Sequence, residues 1–388
     1  MSAHEAKVGG PSSVLSRDHV VFAAALSDYN SSAVEQAVAD LLEECLREED
    51  LIRPGMTILI KPNMLSDRTP ESAVTTHPAI LEAAVRFVQR RGAKAVIGDS
   101  PPQLRGSIRR FWEKTGFLGV AERTGAELVR FETDGIAEIV SGGYRFHVSQ
   151  WVTRKADLIV NLPKLKTHNL TLLTGAVKNM FGCLPGGEKT NWHRFALHPD
   201  DFARVLVELY RVTRPAITLL DGITAMAGNG PANGEVVHPG VLLASRDGLA
   251  VDLAAAAVLG FRPLEIATNR IGVELGLGHA GFERVDVGGK VGTFPLGRYP
   301  LPSNRMLRQL PRPLLRFFGK QLWIHPGVDA KKCTGCGICA RGCPMGAISM
   351  HGLPRFRYDL CIDCWCCAES CPEGAIIVRR SWFARIAT

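Results

Sequence analysis

Two runs of closely spaced cysteines constrain the fold of this chain more than any other feature. The first run is Cys333-x-x-Cys336-x-x-Cys339-x-x-x-Cys343-Pro344, and the second, 28 residues later, is Cys361-x-x-Cys364-x-x-Cys367-x-x-x-Cys371-Pro372. The similarity extends past the cysteines, because Gly346-Ala347-Ile348 recurs as Gly374-Ala375-Ile376. A repeat of this kind indicates a duplicated unit with pseudo-twofold symmetry.

Each run supplies four thiolates, which is the number that one [4Fe–4S] cluster takes. Three thiolates at steps of three residues form a tight loop, and glycines such as Gly335 and Gly337 permit its bends. The proline after each run turns the chain away, so the fourth cysteine is expected to reach the other cluster. We therefore predict two [4Fe–4S] clusters, with these ligands: Cys333, Cys336, Cys339 and Cys371 for cluster 1, and Cys361, Cys364, Cys367 and Cys343 for cluster 2.

Other uses of cysteine fit this pattern less well. Zinc sites usually pair two C-x-x-C units per ion rather than two four-cysteine runs that end in proline. A disulfide framework is not expected either, because the 332 residues before the first run hold only Cys45 and Cys183. We interpret those two as buried thiols. Cys366, beside Cys367, is interpreted as a packed thiol, with a ligand exchange or a redox role as the alternative.

Residues 326–378 resemble the bacterial two-cluster ferredoxin family through these two runs. The resemblance implies a small α+β ferredoxin-like two-cluster domain. It also implies that this domain shuttles electrons between partners or to a neighbouring active site. Residues 379–388 would then form a basic tail.

Charge and hydropathy limit the partners and the location. From Arg305 onward the chain has 13 Lys and Arg against 5 Asp and Glu, whereas the first 304 residues balance at 33 against 33. Each oxidised cluster with four thiolates carries roughly −2, which offsets about half of this excess, so no nucleic-acid binding is expected. No stretch reaches the roughly 18 apolar residues of a membrane-spanning helix. Residues 1–17 are interpreted as a flexible leader without a secretion signal, which predicts a cytoplasmic protein.

Strand and helix patterns alternate over residues 18–290. Strands are predicted at 56–61, 94–99, 158–162, 217–221 and 241–245, and helices at 78–91, from about 108, and at 249–259. This alternation favours an α/β domain with a mostly parallel sheet covered by helices.

Polar residues follow these strands at their carboxyl ends, where parallel sheets bind ligands. Lys61 and Asn63 follow one strand, a lysine-rich segment at 161–168 follows another, and Asp221 ends a third. If these ends converge, their cations form a cleft suited to a carboxylate or a phosphate. The alternative is a set of solvated loop charges. The predicted binding residues are Lys61, Asn63, Lys164, Lys166, Asn179 and Asp221, and the predicted catalytic residues are Lys178 and His168.

The same segments resemble the DUF362 family, whose members often carry a C-terminal ferredoxin module. The resemblance is carried by Ile60-Lys-Pro-Asn63, Asn161-Leu-Pro-Lys-Leu-Lys-Thr-His168, Thr174-Gly-Ala-Val-Lys-Asn-Met-Phe-Gly182, Asp221-Gly, Ser245-Arg-Asp-Gly248 and Asp252. The region from His168 through Lys178 to Gly186 is also similar to the lactate racemase family, whose lysine and histidines hold a nickel pincer cofactor. That likeness implies that Lys178 is the anchoring residue and His168 an acid/base or a metal ligand. The other histidines of that family have no counterpart here.

A proline-rich connector, residues 291–325, joins the two predicted domains. It mixes basic and bulky apolar residues, a composition that fits a strap packed against both domains or a helix lying on a membrane surface. We favour the strap, and peripheral membrane contact is the alternative.

Fusion of a cluster-binding module to a cleft-bearing domain favours an iron–sulfur oxidoreductase. Electrons would pass through the two clusters between an external electron carrier or redox partner protein and a small anionic substrate or cofactor in the cleft. Two alternatives stay open. One is a non-catalytic electron-transfer or assembly subunit that docks a redox partner. The other is a lactate-racemase-like enzyme with structural clusters.

Overall fold

The computed structural model describes residues 19–101, 107–196, 198–287, 289–292, 297–305 and 323–382. The predicted leader at 1–17, residues 306–322 of the connector and residues 383–388 of the basic tail lie outside the described residues. The choice between a strap and a membrane-surface helix for the connector therefore stays a prediction.

The large domain contains fourteen strands among the described residues. They are β1 (Val20–Ala25), β2 (Thr57–Pro62), β3 (Lys94–Asp99), β4 (Glu127–Arg130), β5 (Ile136–Ser141), β6 (Tyr144–Ser149), β7 (Leu158–Leu162), β8 (Lys164–His168), β9 (Leu172–Thr174), β10 (Ile217–Ala227), β11 (Glu235–Val237), β12 (Val241–Ser245), β13 (Glu283–Asp286) and β14 (Val291–Gly292). All except the β5–β6 hairpin belong to one sheet.

The sheet has the strand order β14-β13-β1-β12-β10-β7-β2-β3-β4. Strands β8 and β11 pair with the far part of β10, and β9 pairs with β8. The five neighbouring strands from β10 to β4 are parallel, whereas β12 runs antiparallel to both of its neighbours. The predicted mostly parallel sheet is confirmed.

Helices cover both faces of this sheet. They are α1 (Ser31–Leu46), α2 (Pro78–Arg90), α3 (Ile108–Lys114), α4 (Phe117–Thr124), α5 (Ala176–Asn179), α6 (Glu188–Phe195), α7 (Pro199–Val212), α8 (Gly248–Leu259) and α9 (Ala267–Glu274). Along β2, Ile58 and Ile60 pack into the core with α1 and α2, whereas Leu59 packs with α7 on the other face. Successive strand residues point to opposite faces, so a strand covered on both sides is apolar throughout. None of the described helices is long and apolar enough to cross a membrane.

One predicted loop is a strand. Residues 164–168 form β8, and β10 extends beyond the predicted end at 221 to pair with it. Pro163 has no amide N–H to donate to a ladder, which ends β7, and the chain then resumes as an extended segment. All five residues of β8 are buried, so the alternative of solvated loop charges is wrong for this segment.

The C-terminal domain contains β15 (Ile324–Val328), α10 (Ile338–Arg341), β16 (Ile348–His351), β17 (Leu353–Phe356), α11 (Cys366–Glu369) and β18 (Ile376–Arg380). Strand β15 pairs antiparallel with β18, and β16 pairs with β17. The duplication is visible in the backbone, because Gly337 and Trp365, which are 28 residues apart, have φ angles of 73° and 64°. Left-handed φ is costly for a tryptophan, so the ligand loop imposes this conformation.

The C-terminal domain is docked against the carboxyl ends of the parallel strands. Arg68, which follows β2, donates hydrogen bonds to the carbonyl oxygens of Cys371 at 2.8 Å and Pro372 at 3.0 Å. Asn233 donates its side-chain amide to the carbonyl oxygen of Ile376. These bonds attach the loop that holds a predicted cluster ligand to the large domain.

Candidate functional site

A cavity of about 360 Å³ lies where the two domains meet. The α/β domain contributes Asn63, Lys166, Thr174, Lys178 and His193 to its wall. These residues come from the segment after β2 and from β8, β9, α5 and α6. The sheet topology therefore brings parts of the chain that are distant in sequence to one site.

The C-terminal domain forms the opposite wall. Gly342, Cys366 and Ser370 line the cavity, and the residue that follows each of them is a predicted cluster ligand. Glu369, from α11, lines it as well. A molecule in the cavity would contact residues directly bonded to the ligands of both cysteine runs.

Two of the predicted cleft lysines have their own counter-ions and lie outside the cavity wall. Lys61 Nζ lies 3.1 Å from Asp99 Oδ1, and Lys164 Nζ lies 2.8 Å from Asp221 Oδ2. Asp221 and Lys164 also bind the Tyr29 hydroxyl, at 2.8 Å and 2.7 Å. Lys164 and Asp221 thus form a buried pair that holds the segment after β1. Neither residue lines the cavity.

Lys166 and Lys178 line the cavity and are poorly compensated. Lys166 Nζ donates to Asn63 Oδ1 at 2.7 Å and to the carbonyl oxygen of Val74 at 2.6 Å. Among the described residues, Lys166 has no ion pair with a carboxylate, and Lys178 has only Glu369 Oε1, at 3.7 Å. Burial lowers the pKa of Lys166 well below its ordinary value, and the charge of Lys178 lowers it further.

A chain of amides fixes the predicted binding residues Asn63 and Asn179. Asn63 Nδ2 donates to Asn179 Oδ1 at 2.8 Å, and Asn179 Nδ2 donates to Asn161 Oδ1 at 2.7 Å. Asn161 Nδ2 in turn donates to the carbonyl oxygen of Ala176 at 3.2 Å. Because each amide has a defined donor and acceptor, the chain holds the oxygen of Asn63 toward the Lys166 amine.

His168, a predicted catalytic residue, lies behind the cavity wall with both ring nitrogens engaged. Its Nδ1 accepts the backbone N–H of Leu170 at 2.9 Å, so the ring proton is on Nε2, which donates to Glu369 Oε1 at 2.6 Å. Burial and Lys178 lower the pKa of His168 to about 3 despite the carboxylate. Burial by itself raises the pKa of Glu369, but Lys178 and His168 outweigh it and hold that pKa below its usual range. His168 therefore positions Glu369 instead of facing a ligand.

His193 is the histidine that lines the cavity, and the sequence analysis missed it. Its ring stacks on Phe202 with centroids 4.4 Å apart, and its buried Nδ1 has no hydrogen-bond partner among the described residues. Burial lowers the pKa of His193 to about 4, so the ring is neutral at physiological pH. The hydroxyl of Thr174, also on the wall, is buried without a partner as well. His193 belongs to no spacing pattern that marks a site, whereas Thr174 begins one of the segments that resemble DUF362.

Asp252 positions the segment that carries Lys178. Its carboxylate accepts the backbone N–H groups of Ala176 at 2.5 Å and Val177 at 3.0 Å, which are the first residues of α5. A Cβ on Gly175 would lie 2.0 Å from Asp252 Oδ1, so only glycine fits there. The buried carboxylate thus satisfies the otherwise unpaired amides at the start of this short helix.

The eight predicted cluster ligands line two further cavities, both inside the C-terminal domain. Cys333, Cys336, Cys339 and Cys371 line one, and Cys343, Cys361, Cys364 and Cys367 line the other. The backbone N–H of Ala347 donates to Cys343 Sγ at 3.3 Å, and that of Ala375 donates to Cys371 Sγ at 3.2 Å. Among the described residues, no three metal-binding side chains converge as they would around a single ion. Four thiols per cavity, with amide hydrogen bonds to sulfur, fit an iron–sulfur cluster.

Known families match both domains. The family described as "Domain of unknown function (DUF362)" matches residues 58–257, and the 4Fe-4S dicluster domain matches residues 332–376. A thylakoid-associated protein from Synechocystis sp. is 34% identical over 250 residues, which are 64% of this chain and 77% of that protein. The expected resemblances to DUF362 and to the two-cluster ferredoxins are confirmed.

Two solved structures have a low similarity to part of this chain. The lactate racemase apoprotein from Thermoanaerobacterium thermosaccharolyticum has a TM-score of 0.40 and 14% identity, over 61% of this chain and 57% of that one. A protein from Thermotoga maritima has a TM-score of 0.39 and 13% identity, over 63% and 59%. The chain spans less than two thirds of either, and likenesses this distant carry no argument about activity. The family matches are decisive: this chain belongs to the DUF362 family and carries a 4Fe–4S dicluster domain after the DUF362 region.

Proposed function

We propose that this protein is an iron–sulfur oxidoreductase that passes electrons through two [4Fe–4S] clusters to or from a small anionic substrate or cofactor. The supporting observation is the shared wall of the interdomain cavity, where Lys166 and Lys178 face residues directly bonded to cluster ligands. When bound, the clusters would supply one-electron transfer. An external electron carrier would complete the route.

The charge of the ligand follows from the buried amines. Isolated ammonium groups are costly to bury, and Lys166 has no carboxylate partner among the described residues. Among the described residues, Lys178 pairs with one carboxylate, Glu369, which also binds His168. A carboxylate or phosphate in the cavity would provide the missing negative charge.

Neutral groups would orient such a ligand. The Thr174 hydroxyl and the neutral His193 ring can each donate or accept a hydrogen bond, and both have unused capacity. The cavity of about 360 Å³ is near the lower end of the roughly 300–1,000 Å³ found for small-molecule sites. It therefore suits a small metabolite rather than a dinucleotide.

The proposal is tested with anaerobically purified protein that contains its clusters. The clusters are reduced, and small carboxylates and phosphates are screened for the ability to reoxidise them, followed by visible absorption. Lys166→Met and Lys178→Met should slow reoxidation by an active compound about tenfold to a hundredfold. This range corresponds to ~1.5–3 kcal/mol for a hydrogen bond to a charged group.

The matched control is Lys94→Met, because Lys94 is exposed and pairs with Glu127 at the far end of β3. This variant should reoxidise at the wild-type rate. The proposal fails if no anion reoxidises the clusters, or if the two cavity variants behave like the control.

A further inference from the structure

The two halves of the dicluster domain carry opposite charges at equivalent positions. Residues 28 apart correspond in the repeat, so Lys331 corresponds to Asp359 and Arg341 corresponds to Glu369. Arg341 ends α10 and is exposed, whereas Glu369 ends α11 and is buried at the cavity. At the position of Arg341 and Glu369, the first half thus presents its charge to solvent, and the second half presents its charge to the α/β domain.

Exposed cations surround the accessible edge of the first cysteine run. Cys333 and Cys336 are only partly buried, and Lys331 and Lys332 directly precede Cys333. Arg341 Nη1 donates to the carbonyl oxygen of Cys336 at 3.2 Å, which holds the guanidinium beside this loop. All three cations are exposed, and none forms an ion pair with a carboxylate of the described residues.

Two carboxylates near this edge, Asp329 and Glu373, interact with other groups. The side chain of Asp329 accepts the backbone N–H of Lys331 at 3.0 Å and so serves the turn before the run. Glu373 interacts electrostatically with Arg68, on the side that faces the large domain. The three exposed cations therefore have no carboxylate partner among the described residues, and they lie beside the negative charge that cluster 1 would carry when bound.

At the corresponding edge of the second run, basic groups lie next to carboxylates. Arg357 Nη2 lies 3.2 Å from Asp359 Oδ2, and His325 Nδ1 lies 2.8 Å from Asp363 Oδ1. The same scaffold thus presents cations without a carboxylate partner among the described residues at one cluster site, and basic groups beside carboxylates at the other.

We infer that Lys331, Lys332 and Arg341 form the docking surface for an acidic one-electron carrier protein, which exchanges electrons at the outer cluster site. Opposite charges bring such partners together faster and orient them, and docking here puts the carrier next to two partly exposed ligands. The inference rests on the proposed electron transfer but not on any substrate of the cavity.

An anionic membrane is the less suitable partner for this surface. Helices that lie on membranes present a bulky apolar face beneath their cations. Here the cations come from a turn and from the four-residue helix α10, and the exposed residues between them include Thr334 and Gly335. A polar surface with exposed cations suits a protein with exposed carboxylates.

The test uses the triple charge reversal Lys331→Glu, Lys332→Glu and Arg341→Glu in protein that contains its clusters. The probe is a reduced bacterial ferredoxin with an acidic surface, mixed rapidly with the protein at low and high salt. The wild-type rate should fall as salt rises, and the triple variant should be at least about tenfold slower at low salt, with the salt effect lost or reversed. Direct binding of the two oxidised proteins, measured by calorimetry, should weaken in parallel.

The matched control carries the same charge change on the large domain, at the exposed residues Lys114, Arg154 and Lys290. This control should react with the ferredoxin like the wild type, and dithionite should reduce all three proteins equally. Equal ferredoxin rates in the wild type and the Lys331 triple variant would overturn the inference. A second result would also overturn it: the wild type sediments with phosphatidylserine vesicles, and the variant does not, although the variant reacts with ferredoxin at the wild-type rate. If dithionite does not reduce the clusters at all, it is the proposed electron transfer that fails.

Discussion

Replacing Gly182 with alanine should damage the cavity wall through a buried ion pair. A Cβ at this position would lie 2.0 Å from Asp99 Oδ1 and 2.8 Å from Lys61 Nζ. The Asp99 carboxylate has little freedom to move, because it also accepts the backbone N–H groups of Met64 at 3.0 Å and Ser100 at 2.8 Å. The added methyl group must therefore separate the pair or displace the strand ends that carry it.

The expected cost follows from these contacts. Overpacking a buried site costs about 1–3 kcal/mol, and leaving a buried charge without its partner costs about 3–5 kcal/mol. We expect Gly182→Ala to lower the free energy of unfolding by about 3–5 kcal/mol. For a domain of this size each kcal/mol is worth about 2–4 °C, so Tm should fall by about 10 °C.

Gly187→Ala is the matched control, since Gly187 lines the same cavity but has nothing within 4 Å of the added Cβ. It should change the free energy of unfolding by no more than about 0.5 kcal/mol. Anaerobic scanning calorimetry of both variants and the wild type measures the difference. A Gly182→Ala protein that melts within a degree of the wild type would refute the buried pair and its packing against Gly182.

Two further substitutions test the electrostatics of the large domain. Lys164→Met removes the cation of a fully buried pair and should lower the free energy of unfolding by about 3 kcal/mol, the low end for such pairs, because Asp221 keeps other hydrogen-bond donors. Lys94→Met, at an exposed pair, should lower it by less than about 1 kcal/mol. Equal effects in urea unfolding would contradict the assigned burial. For His193, burial lowers the folded-state pKa from 6.5 to about 4, so the unfolded chain binds more protons and wild-type stability should fall as pH drops from about 6.5 to about 4. His193→Phe should not show this contribution to the loss of stability, which amounts to up to about 3 kcal/mol. If the Tm of the two proteins changes in parallel with pH, the histidine is not buried in its neutral form.

The sequence predicts elements well where the local pattern is unambiguous. The predicted strands at 94–99, 158–162 and 241–245 agree with β3, β7 and β12, because each is a short apolar run that the sheet buries on both faces. The cysteine spacing is equally informative, since the geometry of the ligand loop requires it. The strand β8 was missed because its lysines and histidine are typical of loops, and only the long β10 partner makes them a strand.

The site itself depends on contacts between segments that are far apart in sequence. Glu369 lies among cysteines in the sequence, and nothing nearby shows that it meets His168, 201 positions away. That contact exists because Arg68 attaches the C-terminal domain to the end of the sheet. In the same way, Lys164 and Lys166 look equivalent in the sequence. In the part of the chain that the structure describes, the fold gives a carboxylate partner to Lys164 and none to Lys166.

The interdomain wall also has a consequence for biosynthesis. Residues 58–257 leave the ribosome well before residues 332–376, yet the pocket needs both. Until the C-terminal segment has folded and docked, the lysine side of the pocket has no opposite wall. The complete pocket therefore forms only after the segment that carries the predicted cluster ligands has folded and docked.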